Sequence, residues 1–209
     1  MPINMHSLQQ LGLAFGTDKA TRHRYCETYE RLLPREVSEL WELGILKGAS
    51  LNMWAAYYPN AKIRGFDIVD KSGIKFLPNV ETHLLDQSNI YALNALGDTR
   101  GIDVIIDDAS HNVMHQISTF EALFDCLKSG GKYIIEDLHT STDLWTGFGY
   151  TDGKGALQYL EDIAAYKMPT GYPGQHRTEK VIEQVEQVII IANCDTPDRR
   201  SLTSIITHK

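Results

Sequence analysis

Two short stretches of this chain concentrate the groups able to do chemistry. They are Ile105-Ile106-Asp107-Asp108-Ala109-Ser110-His111 and Ile134-Ile135-Glu136-Asp137-Leu138-His139. Each is an apolar run that ends in adjacent carboxylates with a histidine close behind. Packing gives no reason for that pattern, because a dehydrated carboxylate is costly unless something positive meets it. Asp108, Glu136 and Asp137 offer three carboxylates from neighbouring strand tips. Such a set suits a hard divalent cation, Mg²⁺ above all, with positions left for two acceptor hydroxyls. His111 follows Asp108 by three residues and can face the same pocket, where a neutral imidazole accepts a proton near pH 7. Asp107 reads as scaffold that bonds the neighbouring turn, and His115 as a solvated or capping histidine. His139 either contacts substrate or orients a carboxylate.

The elements that must position these groups alternate. Tyr25, Tyr29, Leu32 and Leu33 fall at helical spacing ahead of Pro34, so the first part of the chain reads as helical. Short apolar strands follow at 40–43, 63–68, 82–85, 103–106 and 132–135. Helices are expected at 50–58, 89–96 and 114–127, the last stopped by Ser129-Gly130-Gly131. Strands alternating with helices mean βαβ units, hence a mostly parallel sheet with helices on both faces. The runs 185–192 and 202–207 are β-rich with no helix between them, so they should pair antiparallel at one edge. The expectation is a doubly wound α/β sheet of seven strands in a single domain, 1–209. Residues 1–37 form a helical cap. Residues 140–177, with six glycines and two prolines around one helix at 156–167, read as an inserted lid over the C-terminal end of the sheet. The glycine-rich part of that insertion is expected to move.

Composition narrows the partners. The 209 residues carry 20 basic and 27 acidic side chains, a net charge of −7, and no basic cluster. A nucleic-acid partner is therefore not expected. The three cysteines, Cys26, Cys126 and Cys194, are odd in number and far apart. They suggest neither a disulfide framework nor a zinc site, and point to a reducing, cytoplasmic setting. Met1-Pro2-Ile3-Asn4-Met5-His6 has no charged n-region and no long apolar stretch, so no signal peptide is expected. No run approaches the ~20 apolar residues that span a bilayer. Oligomeric state, including a homo-oligomer, stays open.

A second constellation lies at the first strand. Glu42-Leu43-Gly44-Ile45-Leu46-Lys47-Gly48-Ala49-Ser50 is a strand, a loop and a helix start with glycines four apart. Gly44 and Gly48 allow a tight turn and close approach to a ligand. The stretch is neither a Gly-x-Gly-x-x-Gly turn nor a P-loop. Asp67, ending the second strand, can take both hydroxyls of a ribose or cap a helix. Asp86-Gln87-Ser88 after the third strand suits a ligand or a cap. Three such tips in succession favour an adenosyl ligand.

In these residues the chain resembles class I S-adenosylmethionine-dependent methyltransferases, and more narrowly the metal-dependent O-methyltransferases of macrolide sugars and related glycosides. The resemblance rests on Gly16-Thr17-Asp18-Lys19 with His23, Tyr25 and Tyr29; on Glu42-Leu43-Gly44 with Gly48-Ala49-Ser50-Leu51 and Met53-Trp54; on Pro59-Asn60-Ala61 before Gly65-Phe66-Asp67; on Asp86-Gln87-Ser88; and on the two acidic tips, the second preceded by Gly130-Gly131. It covers about residues 15–141. It implies a Rossmann-like fold and a methyl-donor pocket lined by Glu42, Gly44, Ser50, Asp67, Asp86, Gln87 and Asp107. It further implies Mg²⁺ at Asp108, Glu136 and Asp137, His111 as the base, Tyr25 and His139 on the substrate side, and a small sugar or glycoside acceptor. Two other readings stay open. Asp108, His111 and His139 have the types of a two-histidine, one-carboxylate iron oxygenase. An NAD-dependent reductase would share the alternation and Asp67, although the Tyr58/Lys62 and Tyr150/Lys154 pairs span Pro59 and Gly153 and so sit on no intact helix.

Overall fold

The computed structural model describes residues 6–142, 145, 147–193 and 201–209. Residues 1–5, Cys194 and the connection 194–200 lie outside the described residues. The helices are α1 (Leu8–Phe15), α2 (Cys26–Leu32), α3 (Ala49–Tyr57), α4 (Ile90–Leu96), α5 (Val113–Leu123), α6 (Ala156–Ala164) and α7 (Thr178–Gln184). The strands are β1 (Glu39–Leu43), β2 (Lys62–Asp67), β3 (Val80–Leu84), β4 (Ile102–Asp107), β5 (Leu127–Ile135), β6 (Val185–Asn193) and β7 (Ser201–His208). They form one sheet in the order β3-β2-β1-β4-β5-β7-β6. The first five are parallel, and β7 runs antiparallel to both β5 and β6. This is the doubly wound, mostly parallel sheet with an antiparallel edge that the alternation implies.

β4 is buried along its whole length, as its lack of polar alternation requires. Ile105 packs into the core on one face with Phe120, Tyr133 and Leu160. Val104 and Ile106 pack on the other with Trp54, Leu51 and Tyr29. Successive side chains of a strand point to opposite faces, so one central strand serves both cores.

Strand register places the functional tips side by side. Leu43 is level with Phe66 and with Asp107, and Asp107 with Ile135. Beyond those positions the ladder continues one step, with Gly44 N donating to Phe66 O at 2.8 Å, Asp108 N to Leu43 O at 2.9 Å and Glu136 N to Asp107 O at 2.9 Å. Gly44, Asp67, Asp108 and Glu136 therefore form a row along the C-terminal edge of the sheet, where open α/β sheets bind ligands.

Three local expectations differ from what is observed. α5 stops at Leu123, a 3-10 turn covers Phe124–Cys126, and Leu127 already belongs to β5. Ser129-Gly130-Gly131 is thus not a helix stop; it lies in a bulge of β5, where the register jumps from Leu127 to Lys132 and Gly130 takes φ +75°. α7 has no counterpart in the sequence reading, being one short helix that leads straight into β6. α6 ends at Ala164, short of Lys167, and is a core helix, with Ala156, Tyr159 and Leu160 buried against the α5 layer.

Candidate active site

The loop after β1 and the tip of β4 meet at a glycine. Gly44 has φ +91°, and a Cβ placed on it would meet the Asp108 carbonyl oxygen at 2.1 Å. Only glycine tolerates both that dihedral and that approach. A cavity of about 1010 Å³ opens beside this contact. It is lined by Leu43 to Lys47, Ser50, Asp67, Ile68 and Leu85 to Ser88, and by Asp108 to His111 with Asp137. Phe15 to Asp18, from the end of α1, close it from a third side. That volume accommodates an adenosyl ligand together with part of a second one.

Asp67 sits on the cavity wall. Its Oδ2 accepts from Ile45 N and its Oδ1 from Val69 N, both at 2.9 Å, and Lys71 Nζ lies 3.3 Å away. Partial burial works against its charge, yet the two backbone donors and Lys71 hold the carboxyl below its usual value. Asp86 borders the cavity and accepts from Ser88 N and Ser88 Oγ in a local turn, while Asn89 caps α4. Gln87 is buried and links two elements. Its amide donates to both Asp107 oxygens at 2.7 and 2.8 Å, and its carbonyl accepts from Ser110 Oγ at 2.8 Å. Asp107 is thereby fully buried scaffold, its pKa pushed up to about 7 by desolvation. Ser50 lines the cavity and donates to Glu42 Oε2 at 2.9 Å. Glu42 itself lies behind that wall, with no exposed surface.

The second group surrounds Asp137. Asp108, His111 and Asp137 each offer one ligand atom within 4.8 Å of the others. His111 Nε2 is 3.7 Å from Asp137 Oδ2 and 4.0 Å from Asp108 Oδ1. Both His111 and Asp137 hold left-handed backbone, φ +55° and +54°. Non-glycine residues in that region store strain, and such strain gathers at functional sites. Two carboxylate oxygens converging on open space, with an imidazole beside them, fit a small divalent cation.

Glu136 departs from the expected ligand set. It is 2% exposed, with Oε2 2.8 Å from Lys19 Nζ and Oε1 accepting from Tyr29 OH at 3.0 Å. Lys19 is itself 1% exposed and touches Asp108 Oδ2 at 2.5 Å and Glu42 Oε1 at 3.3 Å. Burial disfavours its charge, but three carboxylates around it raise its pKa well above the ordinary value. Burial also raises Glu42 to about 7 and Glu136 well above the carboxylate range. The two buried carboxylates, Glu42 and Glu136, thus share the one Lys19 ammonium, and burial favours a proton on one of them.

Tyr25 and His139, expected on the substrate side, pack around Asp137 instead. Tyr25 is fully buried and donates to Asp137 Oδ1 at 3.3 Å and to Leu202 O at 3.2 Å. His139 Nδ1 lies 3.9 Å from the same carboxylate oxygen, and its ring meets Trp145 edge-on at 5.4 Å. His139 is not in the cation-suited cluster, which holds one histidine, so the two-histidine face of an oxygenase is not assembled among the described residues. His115 makes a bond to Ser110 Oγ at 2.9 Å. From sequence, Thr17-Asp18-Lys19 with His23, Tyr25 and Tyr29 reads either as a helix cap with a polar face or, by the resemblance, as a cover over the donor or acceptor, and contacts of Lys19 and His23 with the acidic tips are not foreseen. His23 Nδ1 is 2.8 Å from Ser201 Oγ and 3.5 Å from Asp137 Oδ1. The signal available was a polar, aromatic cluster following Gly16.

No family model matches the chain. It is 36% identical over 189 residues to the 8-demethyl-8-alpha-L-rhamnosyl tetracenomycin-C 2'-O-methyltransferase of Streptomyces olivaceus, covering 80% of this chain and 49% of that protein. It is 40% identical over 103 residues to the mycinamicin VI 2''-O-methyltransferase of Micromonospora griseorubida, covering 49% of this chain and 25% of that one. The chain thus spans about half the length, or less, of the curated relatives it matches. Among solved structures, the mycinamycin-pathway methyltransferase MycE in complex with Mg and SAH superposes with a TM-score of 0.77 at 26% identity, over 97% of this chain and 54% of MycE. The chain is a homologue of sugar O-methyltransferases from macrolide and tetracenomycin pathways and carries the fold of S-adenosylmethionine-dependent O-methyltransferases.

Proposed function

We propose that this chain moves the methyl group of S-adenosylmethionine to a hydroxyl of a sugar or glycoside, with Mg²⁺ at the acceptor side. The observation that carries the reading is the continuity of one cavity from the Gly44 loop and Asp67 to Asp108, His111 and Asp137. The donor brings a methyl already activated by its sulfonium, and Mg²⁺ lowers the pKa of an acceptor hydroxyl and orients it.

What the chain's own residues contribute is position and a proton acceptor. The Gly44 turn, Ser50, Asp67 and the Asp86-Gln87 tip suit an adenosyl group and its ribose. Asp108 and Asp137 suit the cation, and Glu136 supports them from behind through Lys19. His111 Nε2 takes the acceptor proton as the new C–O bond forms and the C–S bond breaks, leaving S-adenosylhomocysteine. In-line approach at about 3–3.5 Å is what these walls must enforce. Trp145 and Phe148, near the rings of His139 and His111, are the side chains of the expected lid suited to meet the acceptor.

The reading takes a small glycoside as partner and no nucleic acid, in keeping with the net charge of −7. It takes the enzyme as cytoplasmic, with the buried free thiols Cys26 and Cys126 in support. Among the described residues no helix is long and apolar enough to cross a membrane. The decisive experiment is calorimetric titration with S-adenosylmethionine, with and without Mg²⁺, followed by mass spectrometry of a glycoside panel. Donor binding and a mass gain of one methyl are expected. A chain that binds no donor would end the proposal.

A further inference from the structure

Asp108 and Asp137, the two carboxylates of the cation-suited cluster, are each held from behind by one oxygen. Lys19 Nζ engages Asp108 Oδ2 at 2.5 Å, which leaves Oδ1 turned toward His111. Across the site Tyr25 OH donates to Asp137 Oδ1, and His23 Nδ1 lies 3.5 Å from that same oxygen, which leaves Oδ2 turned toward His111. Glu136 is closed on both oxygens by Lys19 and Tyr29. Lys19, His23 and Tyr25 come from one short segment between α1 and α2. Lys19 and Tyr25 are buried, so neither swings aside without opening the core.

We infer that this segment selects the cation, by presenting one oxygen each from Asp108 and Asp137 and withholding the other. The inference rests on the divalent-cation part of the proposed function. Mg²⁺ takes single oxygens in a tight octahedron and keeps several waters, whereas Ca²⁺ takes six to eight oxygens and readily accepts both oxygens of a carboxylate. A site with two single oxygens and open volume for water suits Mg²⁺. Freeing Asp108 Oδ2 or Asp137 Oδ1 adds a ligand that Ca²⁺ uses and Mg²⁺ does not. Lys19, His23 and Tyr25 are positioning residues here, acting through the two carboxylates.

The ratio of the two affinities isolates this effect. Both ions carry the same charge, so loss of the Lys19 ammonium draws both in equally and leaves the ratio to report coordination. The test is calorimetric titration of the whole chain with MgCl₂ and with CaCl₂, for the wild type, Lys19→Met and Tyr25→Phe. The wild type should bind Mg²⁺ more tightly than Ca²⁺. Tyr25→Phe, which removes one donor from Asp137 Oδ1, should narrow that preference by about tenfold, the change expected from one added ligand contact, and Lys19→Met, which also releases Glu136 Oε2 and Glu42 Oε1, by that much or more. Lys19→Met leaves the buried Glu42 and Glu136, and the cavity-facing Asp108, without their ammonium. Should it fail to fold, Tyr25→Phe decides, since it removes one hydroxyl and no charge. An unchanged ratio in the folded variants, or a wild type that favours Ca²⁺, overturns the assignment while the proposed methyl transfer stands. A wild type that binds neither ion overturns the cation part of the proposed function and this inference with it.

Discussion

The carbonyl oxygen of Asp108 occupies the space that a side chain on Gly44 would need, 2.1 Å from where its Cβ would lie. The turn after β1 and the tip of β4 are therefore one contact, locked together by the missing side chain. Gly44→Ala must either push β4 away from β1 or abandon φ +91°. The strain of the dihedral alone is about 1–3 kcal/mol, before any clash is counted. The variant should melt lower than the wild type and bind S-adenosylmethionine poorly. Thermal unfolding and a donor titration read the two effects separately. An unshifted melting curve would mean that the turn relaxes easily.

His111 tests the chemistry apart from binding. Its Nε2 lies between Asp137 Oδ2 and Asp108 Oδ1, and the residue lines the cavity. Removing a general base typically costs about 10²–10⁴ in rate. His111→Ala should lose that much in kcat while donor affinity, measured by calorimetry, stays near that of the wild type. A rate within threefold of the wild type would return His111 to a structural role.

The division of labour within each acidic pair was only half legible in the sequence. Two adjacent carboxylates at a strand tip announce a site, but adjacent strand residues point to opposite faces. Asp107 goes to Gln87 and burial, whereas Asp108 goes to Lys19 and the cavity. Glu136 likewise turns to Lys19 and Tyr29, while Asp137, through its left-handed backbone, comes round to the cavity. Period-two alternation separates Asp107 from Asp108, and the level pairing of Asp107 with Ile135 puts Glu136 on the Asp108 face, where Lys19 meets both. Lys19 was not assignable in that way, because its partners Asp108 and Glu136 lie 89 and 117 residues along the chain. The sheet itself was readable because strand and helix periods are local, and α7 was not because seven residues abutting a strand leave little period to see.

Cation removal has a directional outcome. Asp108 and Asp137 approach His111 from two sides with single oxygens, so neither alone makes a strong Mg²⁺ site. Chelation should abolish methyl transfer, and added Mg²⁺ should restore it. Asp137→Asn should raise the Mg²⁺ concentration needed for half-maximal activity by about tenfold or more, the cost of one charged ligand. Donor affinity without Mg²⁺ should be unchanged in this variant. Activity that survives thorough chelation would remove the cation from the reaction.

Glu42 gives stability a pH dependence whose sign follows from its burial. Desolvation raises its pKa from 4.5 to about 7, against the opposing pull of Lys19 and the Ser50 hydrogen bond. The folded chain therefore holds the proton more tightly than the unfolded one. Glu42 contributes fully below its unfolded pKa, and that contribution is lost as pH rises through the window from 4.5 to about 7. A shift of that size corresponds to about 3 kcal/mol at most, since each pKa unit is worth about 1.4 kcal/mol. Glu42→Gln keeps an oxygen for Ser50 and cannot ionise. Its unfolding free energy, from denaturant titrations between pH 5 and pH 8, should fall less steeply with pH than that of the wild type. The gap between the curves should stop widening above about pH 7, where the folded carboxyl has lost its proton. Parallel curves across the whole range would show that Lys19 keeps Glu42 ionised throughout, and that its burial costs nothing that pH can reach.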